Sequence, residues 1–470
     1  MTVKAIMPVR FMNPVEPLGT SPTAMRTTDT GEHLQLDLWS GAVSGLIGTQ
    51  SNLSLRPGDV DSSATRRTRA TTPSSRTSRT ATATGTTRTT SFGFVLSADS
   101  SAPHDGAPFS MADLVHAWLG CERHKRQTHS AKAFRSYIER ELCLLRAELI
   151  SQTYVPGRSS CFVVTHPKPR EIWAADFRDR VVHQLLYNAI APRFLASFDA
   201  GSAACIPGRG TLYAAKRLEH QVRSITQNWS RRAFYLKCDL ANFFVAIDKQ
   251  VLQAELHKKV KHPFWRWLAD TVLMHDPRTD FRLRGDPGLQ DMVPGHKRLV
   301  NAPNETGLPI GNLSSQFFAN VLLDVLDQFC KHQLKARHYG RYVDDFILLH
   351  ESPQQLNEYL QRLTAWLPER LGVRLNPSKT ILQPIDRGVD FVGHVIKPWR
   401  RTTRKRTVAV AIKRLREMPA EEVFTAGNSY LGLARQASHS HHDQAQLMNV
   451  LRKRGHSFKP DLTKIFRKAA

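Results

Sequence analysis

The chain has 470 residues, and its 66 Lys and Arg outnumber its 41 Asp and Glu by 25, an excess that points to a polyanionic partner. Hydrophobic residues make up 41% of the sequence, which excludes a wholly disordered basic chain, and at roughly 150 residues per domain about two to three domains are expected. No window approaches the roughly 18 to 20 uninterrupted apolar residues of a membrane span, and Met1 to Thr20 lacks the apolar run of a secretory signal, so the expectation is a soluble, cytoplasmic protein with no membrane partner.

The first 110 residues carry a net charge of only +2, leaving +23 on the rest. Between Asp61 and Thr90 stand 17 Ser or Thr and 6 Arg with no Leu, Ile, Val or aromatic residue, so nothing there offsets the entropy of ordering. Residues 1–110 therefore read as a disordered low-complexity extension. It is either a functional basic linker or, since the first helical pattern opens at Met111, sequence upstream of the natural start. From Ser130 to Gln152 apolar residues recur at helical spacing (Phe134, Tyr137, Ile138, Leu142, Leu145, Ile150), and Pro156-Gly157 ends the run. A short β-rich run follows from Cys161, broken by Pro167 and Pro169, and Arg178 to Ile190 returns to helical periodicity. Later segments alternate strand and helix, and the fold class expected is α+β. Cys121, Cys143, Cys161, Cys205, Cys238 and Cys330 show no CxxC spacing and read as reduced core residues rather than a disulfide framework or zinc site.

Two acidic blocks point to chemistry. In Ala233-Phe-Tyr-Leu-Lys-Cys-Asp239, period-2 alternation puts Phe234, Leu236 and Cys238 on one face and Tyr235, Lys237 and Asp239 on the other. Asp239 thus ends a buried strand facing a cleft. In Tyr339-Gly-Arg-Tyr-Val-Asp-Asp-Phe-Ile-Leu-Leu-His350, two acids interrupt a strand pattern, which reads as a hairpin with Asp344 and Asp345 at its turn. Neighbouring carboxylates repel unless cations compensate, and oxygen donors suit Mg2+. Two such ions about 3.5 to 4 Å apart stabilise both the attacking and the leaving oxygen of an in-line phosphoryl transfer. An Asp-Asp pair alone is more often a solvated turn; the conjunction with Asp239 argues otherwise.

The two blocks resemble motifs A and C of reverse transcriptases, and Gly307-Leu-Pro-Ile-Gly-Asn-Leu-Ser-Ser-Gln-Phe-Phe-Ala-Asn320 between them resembles motif B. Further blocks fall in order: Pro167-Lys-Pro-Arg and Phe177-Arg-Asp-Arg-Val-Val-His in the fingers, then Gly208-Arg-Gly-Thr, Leu375-Asn-Pro-Ser-Lys-Thr as motif D, and Val389-Asp-Phe-Val-Gly-His as the primer grip. The resemblance spans Met111 to Phe466 and implies a right-hand polymerase. A helical segment and fingers would occupy 111–232, the palm 233–396, and a basic helical thumb and tail 397–470.

By the same resemblance Asp239, Asp344 and Asp345 are catalytic metal ligands for two Mg2+ ions, or Mn2+ in their place, with Asp345 the weaker. Lys168 and Arg170 match the positions that clamp the triphosphate. Phe244 falls where an aromatic crowds the sugar 2′ position, a core role being its alternative, and Gln316 with Ser315 can meet the nascent base pair. Lys379 would protonate the departing pyrophosphate, an ordinary pKa of about 10.4 leaving it charged; a purely electrostatic role stays open. Arg178 and Arg180 divide between a substrate role and pairing with Asp179 or another acid. The run Trp399-Arg-Arg-Thr-Thr-Arg-Lys-Arg406, with Lys413, Arg414 and Arg416, fits a thumb gripping duplex.

Motif B, Ile310 within it, and Asn428-Ser-Tyr-Leu-Gly-Leu433 look most like the reverse transcriptases of diversity-generating retroelements, which copy a template-repeat RNA into cDNA with errors at adenines. The implied partners are an RNA template, a DNA or RNA primer, dNTPs and a small basic accessory protein, in a bacterial or phage-encoded setting. A stand-alone reverse transcriptase of antiphage defence, a group II intron-type enzyme and a non-polymerising RNA-binding scaffold are the alternatives. Intact Asp239, Asp344 and Lys379 count against the scaffold.

Overall fold

Two buried helices and a four-stranded sheet organise the computed structural model, which describes residues 107–125, 128–166 and 168–466. The extension expected at 1–110 lies outside the described residues except for its last four. Of these, Ala107 and Phe109 are buried, and Phe109 packs on Phe264 with ring centroids 5.5 Å apart, so the packed chain reaches back past Met111. Ser110 and Asp113 cap α1 (Met111–Lys125) reciprocally: the Ser110 amide donates to Asp113 Oδ2 and the Asp113 amide to Ser110 Oγ. The helix expected over 130–152 is two helices, α2 (His129–Ser136) and α3 (Ile138–Ile150). Tyr137 breaks them at φ −130° and leaves its ring exposed instead of in the apolar stripe, whereas Phe134, Leu142 and Leu145 are buried.

Strands β1 (Ser159–Val164) and β2 (Arg170–Ala174) pair antiparallel, and α4 (Phe177–Leu195) follows, burying Val181, Val182, Leu185 and Leu186. Next come α5 (Thr211–Ile225), β3 (Phe234–Asp239), the single turn α6 (Phe243–Ala246), α7 (Lys249–Lys259) and α8 (Pro263–Met274). The three-residue β4 (Phe281–Leu283) then returns to pair parallel with β1. A strand from the stretch expected as palm therefore completes the sheet of β1 and β2, from the stretch expected as fingers.

Helix α9 (Leu313–Gln328) is apolar nearly all round, and its neighbours cover it on most sides. After it, β5 (His338–Tyr342), β6 (Asp345–His350), α10 (Pro353–Leu371) and β7 (Ile381–Pro384) complete an antiparallel sheet of order β5-β6-β3-β7. Leu236, Cys238, Phe346 and Leu348 share the core of α9 and α10, while Tyr235, Ile347 and Leu349 face Leu218 and Val222 of α5. Both faces of the sheet are covered, and each such side chain withdrawn from water contributes about 1.5 to 3 kcal/mol.

Strands β8 (Val389–Phe391), β9 (His394–Lys397) and β10 (Arg400–Thr403) form a third sheet, so the border expected at 396/397 falls inside a ladder. Beyond it α11 (Lys405–Glu417), α12 (Ala420–Ala434) and α13 (His441–Lys453) share a separate core containing Leu415, Val423, Leu431, Leu451 and, from the tail, Ile465. The fold is α+β. Among the described residues no helix is long and apolar enough to cross a membrane. All six cysteines are free thiols, but only Cys161, Cys238 and Cys330 are buried, and Cys143 is exposed, against the expectation of six core residues.

Candidate active site

The alternation read for β3 holds, and it delivers Asp239, 4% exposed, to the strand's last position. In the register of β3 with β6, Asp239 stands opposite Asp345. Asp345 is thus the first residue of β6 rather than a turn residue; Tyr342 pairs with it across β5 and β6, and Val343 and Asp344 alone make the turn. The Leu240 amide donates to the Asp344 carbonyl at 3.3 Å and the Asn376 amide to the Asp239 carbonyl at 2.8 Å, which binds the three blocks by main chain. Val343 has φ +57°, a conformation a β-branched residue rarely adopts.

Burial pushes the Asp344 carboxyl up to about 7, with the charges of Asp345 and Asp239 adding to it. The Asp345 carboxyl is raised too, by burial first and by its contact with Asp239, against the pull of Lys237. Such crowding of hard oxygen donors fits a divalent cation such as Mg2+. Lys379 lies in the short turn Pro377–Lys379, and its Nζ donates to both carboxylate oxygens of Asp239 at 2.7 Å. Among the described residues no three His, Cys, Asp or Glu side chains close round a metal-sized point.

Beside the carboxylates lies a pocket lined by Phe244, Ile310, Ser315, Gln316, Tyr342 and Val343, among others. Phe244 belongs to this pocket and to the core at once, resting edge-on against the more deeply buried Phe243. Main-chain bonds fix the loop that supplies Ile310: Leu308 N donates to the Phe244 carbonyl and Trp173 N to the Ile310 carbonyl, both at 2.7 Å. Gly311 has φ +133°, and a Cβ there would meet the Trp173 carbonyl oxygen at 2.9 Å, so a side chain is excluded.

Residues 166–396 match the family model described as reverse transcriptase (RNA-dependent DNA polymerase). They are a reverse transcriptase domain. Among solved structures the chain is similar to telomerase from Candida albicans in complex with a fragment of telomeric RNA, at 13% identity and TM-score 0.38, covering 63% of this chain and 55% of that one. It is similar also to apo telomerase from Candida tropicalis, truncated from its C-terminal domain, at 12% identity and TM-score 0.37, covering 54% and 58%. The chain spans little more than half the length of those telomerase chains. No curated protein matches it.

In the reverse transcriptase domain Arg170 opens β2, mostly buried, where it feels the charge of Asp344. Lys168 lies between β1 and β2, its ammonium held below its ordinary value by burial and then by Lys379, Lys297, Arg170 and Arg406. A cluster of cations therefore surrounds the mouth of the site. Arg406, in the first turn of α11, lay within a basic run whose role was read as duplex binding, and Lys297 carried no sequence signal at all. Arg178 pairs with Glu148 at 2.5 Å, and Arg180 Nε donates to the Ala175 carbonyl at 2.9 Å. Asp179 takes neither of them as a hydrogen-bond partner. It accepts from the Tyr154 hydroxyl at 2.7 Å and the Gly157 amide at 3.0 Å, and burial pushes its carboxyl up to about 6. Two arginines of the basic run also serve the fold: Arg401 is buried against Glu219, and Arg404 pairs with Asp390.

Proposed function

We propose that this chain polymerises DNA on an RNA template and is the error-prone enzyme of a diversity-generating retroelement. The polymerase reading is carried by one observation: Asp239 stands opposite Asp345 with Asp344 at the adjoining turn, so carboxylates more than 100 residues apart in sequence meet at one end of the sheet. Asp239, Asp344 and Asp345 would hold two Mg2+ or Mn2+ ions, which supply activation of a primer 3′-hydroxyl and neutralise charge on the leaving pyrophosphate. Lys168 and Arg170 hold the triphosphate, and Phe244 stands against the sugar where a 2′-hydroxyl would project. Ser315 and Gln316 meet the new base pair. Lys379 gives up Asp239 and delivers its Nζ proton to the pyrophosphate. Lys413 and Arg416, exposed on α11, add to the track for template and primer phosphates.

The retroelement reading is supported by Ile310, which lines the pocket together with Gln316 and Phe244. An aliphatic side chain offers the nascent pair no hydrogen bond, so that position tests a base only by shape. A small basic accessory protein belongs to this reading, as do fingers in 111–232, palm in 233–396 and thumb in 397–470, adjusted for β4 and β10. The test is extension of a DNA or RNA primer on RNA with purified protein, Mg2+ and dNTPs, followed by sequencing. Errors concentrated opposite adenines uphold the whole reading, uniform fidelity removes the retroelement part, and absence of extension removes the polymerase.

A further inference from the structure

The turn that carries Asp344 stands on a charged group sealed from water. Arg341, next to last in β5, and Asp327, next to last in α9, are both 0% exposed. The guanidinium donates to the two Asp327 oxygens through Nε and Nη2, each at 2.7 Å, and Nη2 also donates to Ser202 Oγ at 2.6 Å. Its Nη1 donates to Asn320 Oδ1 at 3.1 Å and to the Val343 carbonyl at 3.2 Å. All five donors of the side chain are thereby used. Asp327 accepts once more, from the Tyr339 hydroxyl at 2.6 Å.

An apolar pair of similar volume in such a place is often as stable or more so, so stability alone does not account for the ion pair. Its bonds say what it does. One donor goes to the carbonyl of Val343, the residue held at φ +57° immediately before Asp344. Such a conformation costs energy for a β-branched residue and persists only where its surroundings impose it. Three others anchor the same guanidinium to α9 at Asn320 and Asp327, and the first turn of that helix gives Ser315 and Gln316 to the nucleotide pocket.

We propose that Arg341 and Asp327 are positioning residues. The pair holds Val343 in its left-handed conformation, sets Asp344 against Asp239, and fixes the catalytic turn to the helix that receives the nucleotide. This rests on the polymerase reading above.

The test is a cycle built on the Arg341→Gln/Asp327→Asn double variant, in which charge leaves both sides and the amides still reach Tyr339 and Ser202. For RNA-templated extension, kcat falls by about 100-fold while the KM for dNTP stays within about threefold, the pattern of a group needed to form the transition state rather than to bind. Glycine takes positive φ without strain, so in a Val343→Gly background the same double change costs less than about tenfold. Equal losses in the two backgrounds, or full kcat in the folded double variant, overturn the proposal. If the double variant does not fold, Arg341→Lys keeps the buried charge paired but cannot keep every bond, and it enters the same cycle. Mn2+ affinity, read by electron paramagnetic resonance, needs no turnover: it weakens at least tenfold in the variant and recovers in the Val343→Gly background. Wild-type protein that binds Mn2+ but extends no primer would remove the polymerase reading, and the metal affinities would still decide the role of the pair.

Discussion

Two cation–carboxylate pairs flank the Val343–Asp344 turn, and they differ in what solvent can reach. Beneath the turn, Arg341 and Asp327 are both fully buried, while at its mouth the side chain of Lys379 is 50% exposed and holds the buried carboxylate of Asp239. Breaking the first strands a charge in a dry interior; the second can open because its cation is already half in water. The deep pair suits a fixed support and the shallow one an exchangeable contact.

The comparison can be broken at several points. The largest effect is expected from Asp344→Asn, which lowers extension by at least about 10³-fold, some 4 kcal/mol of barrier, and leaves RNA affinity nearly unchanged in a filter-binding titration. An active variant would remove Asp344 from the chemistry. Next, Asp327→Ala leaves Arg341 buried and unpaired and costs about 3 to 5 kcal/mol of stability in urea unfolding. Lys379→Ala reverses that profile: stability changes by less than about 1 kcal/mol, extension slows by about 100-fold, and Mn2+ binds more tightly once the competing ammonium is gone. Should the two variants lose stability alike, the contrast between deep and shallow pairs fails.

His183 sharpens the point, since it is buried beside Ser314 with no carboxylate partner among the described residues, and burial, then Arg180 and His275, push its pKa down to about 3. The neutral ring is the folded form, so its contribution is complete above an unfolded pKa of about 6.5 and is lost as pH falls. Between pH 7 and pH 5 the loss amounts to about 2 kcal/mol, and His183→Gln should flatten that part of the unfolding curve. The smallest effect is expected at Phe244→Ala, with rNTP incorporation rising about tenfold, some 1.4 kcal/mol of discrimination, read as the ratio of kcat/KM for rNTP and dNTP.

Much of this was legible in the sequence because the signals are local. The alternation from Phe234 to Asp239 placed the carboxylate on its strand, and the helix of motif B announced itself by its apolar run. Asp345 was misplaced because a two-residue turn fits equally well one position along, and Val343 is not the glycine or asparagine that would mark a positive φ. Arg341 looked like any cation in a strand; only Asp327, 14 residues earlier on a helix, makes it an interior group. β4 is too short to show a period, and its partner lies 122 residues away in sequence. Tyr137 shared the spacing of core residues, but a change of backbone direction turned it outward.

Gly311, pressed against the backbone of Trp173, has one more consequence. With the Trp173 amide bonded to Ile310 and the Ala175 amide to Asn312, strand β2 and the loop before α9 form a continuous plate. On the proposed function such a plate would give an arriving nucleotide a continuous wall on one side, and the exposed Lys168, just ahead of β2, would be the side chain with room to reach toward it.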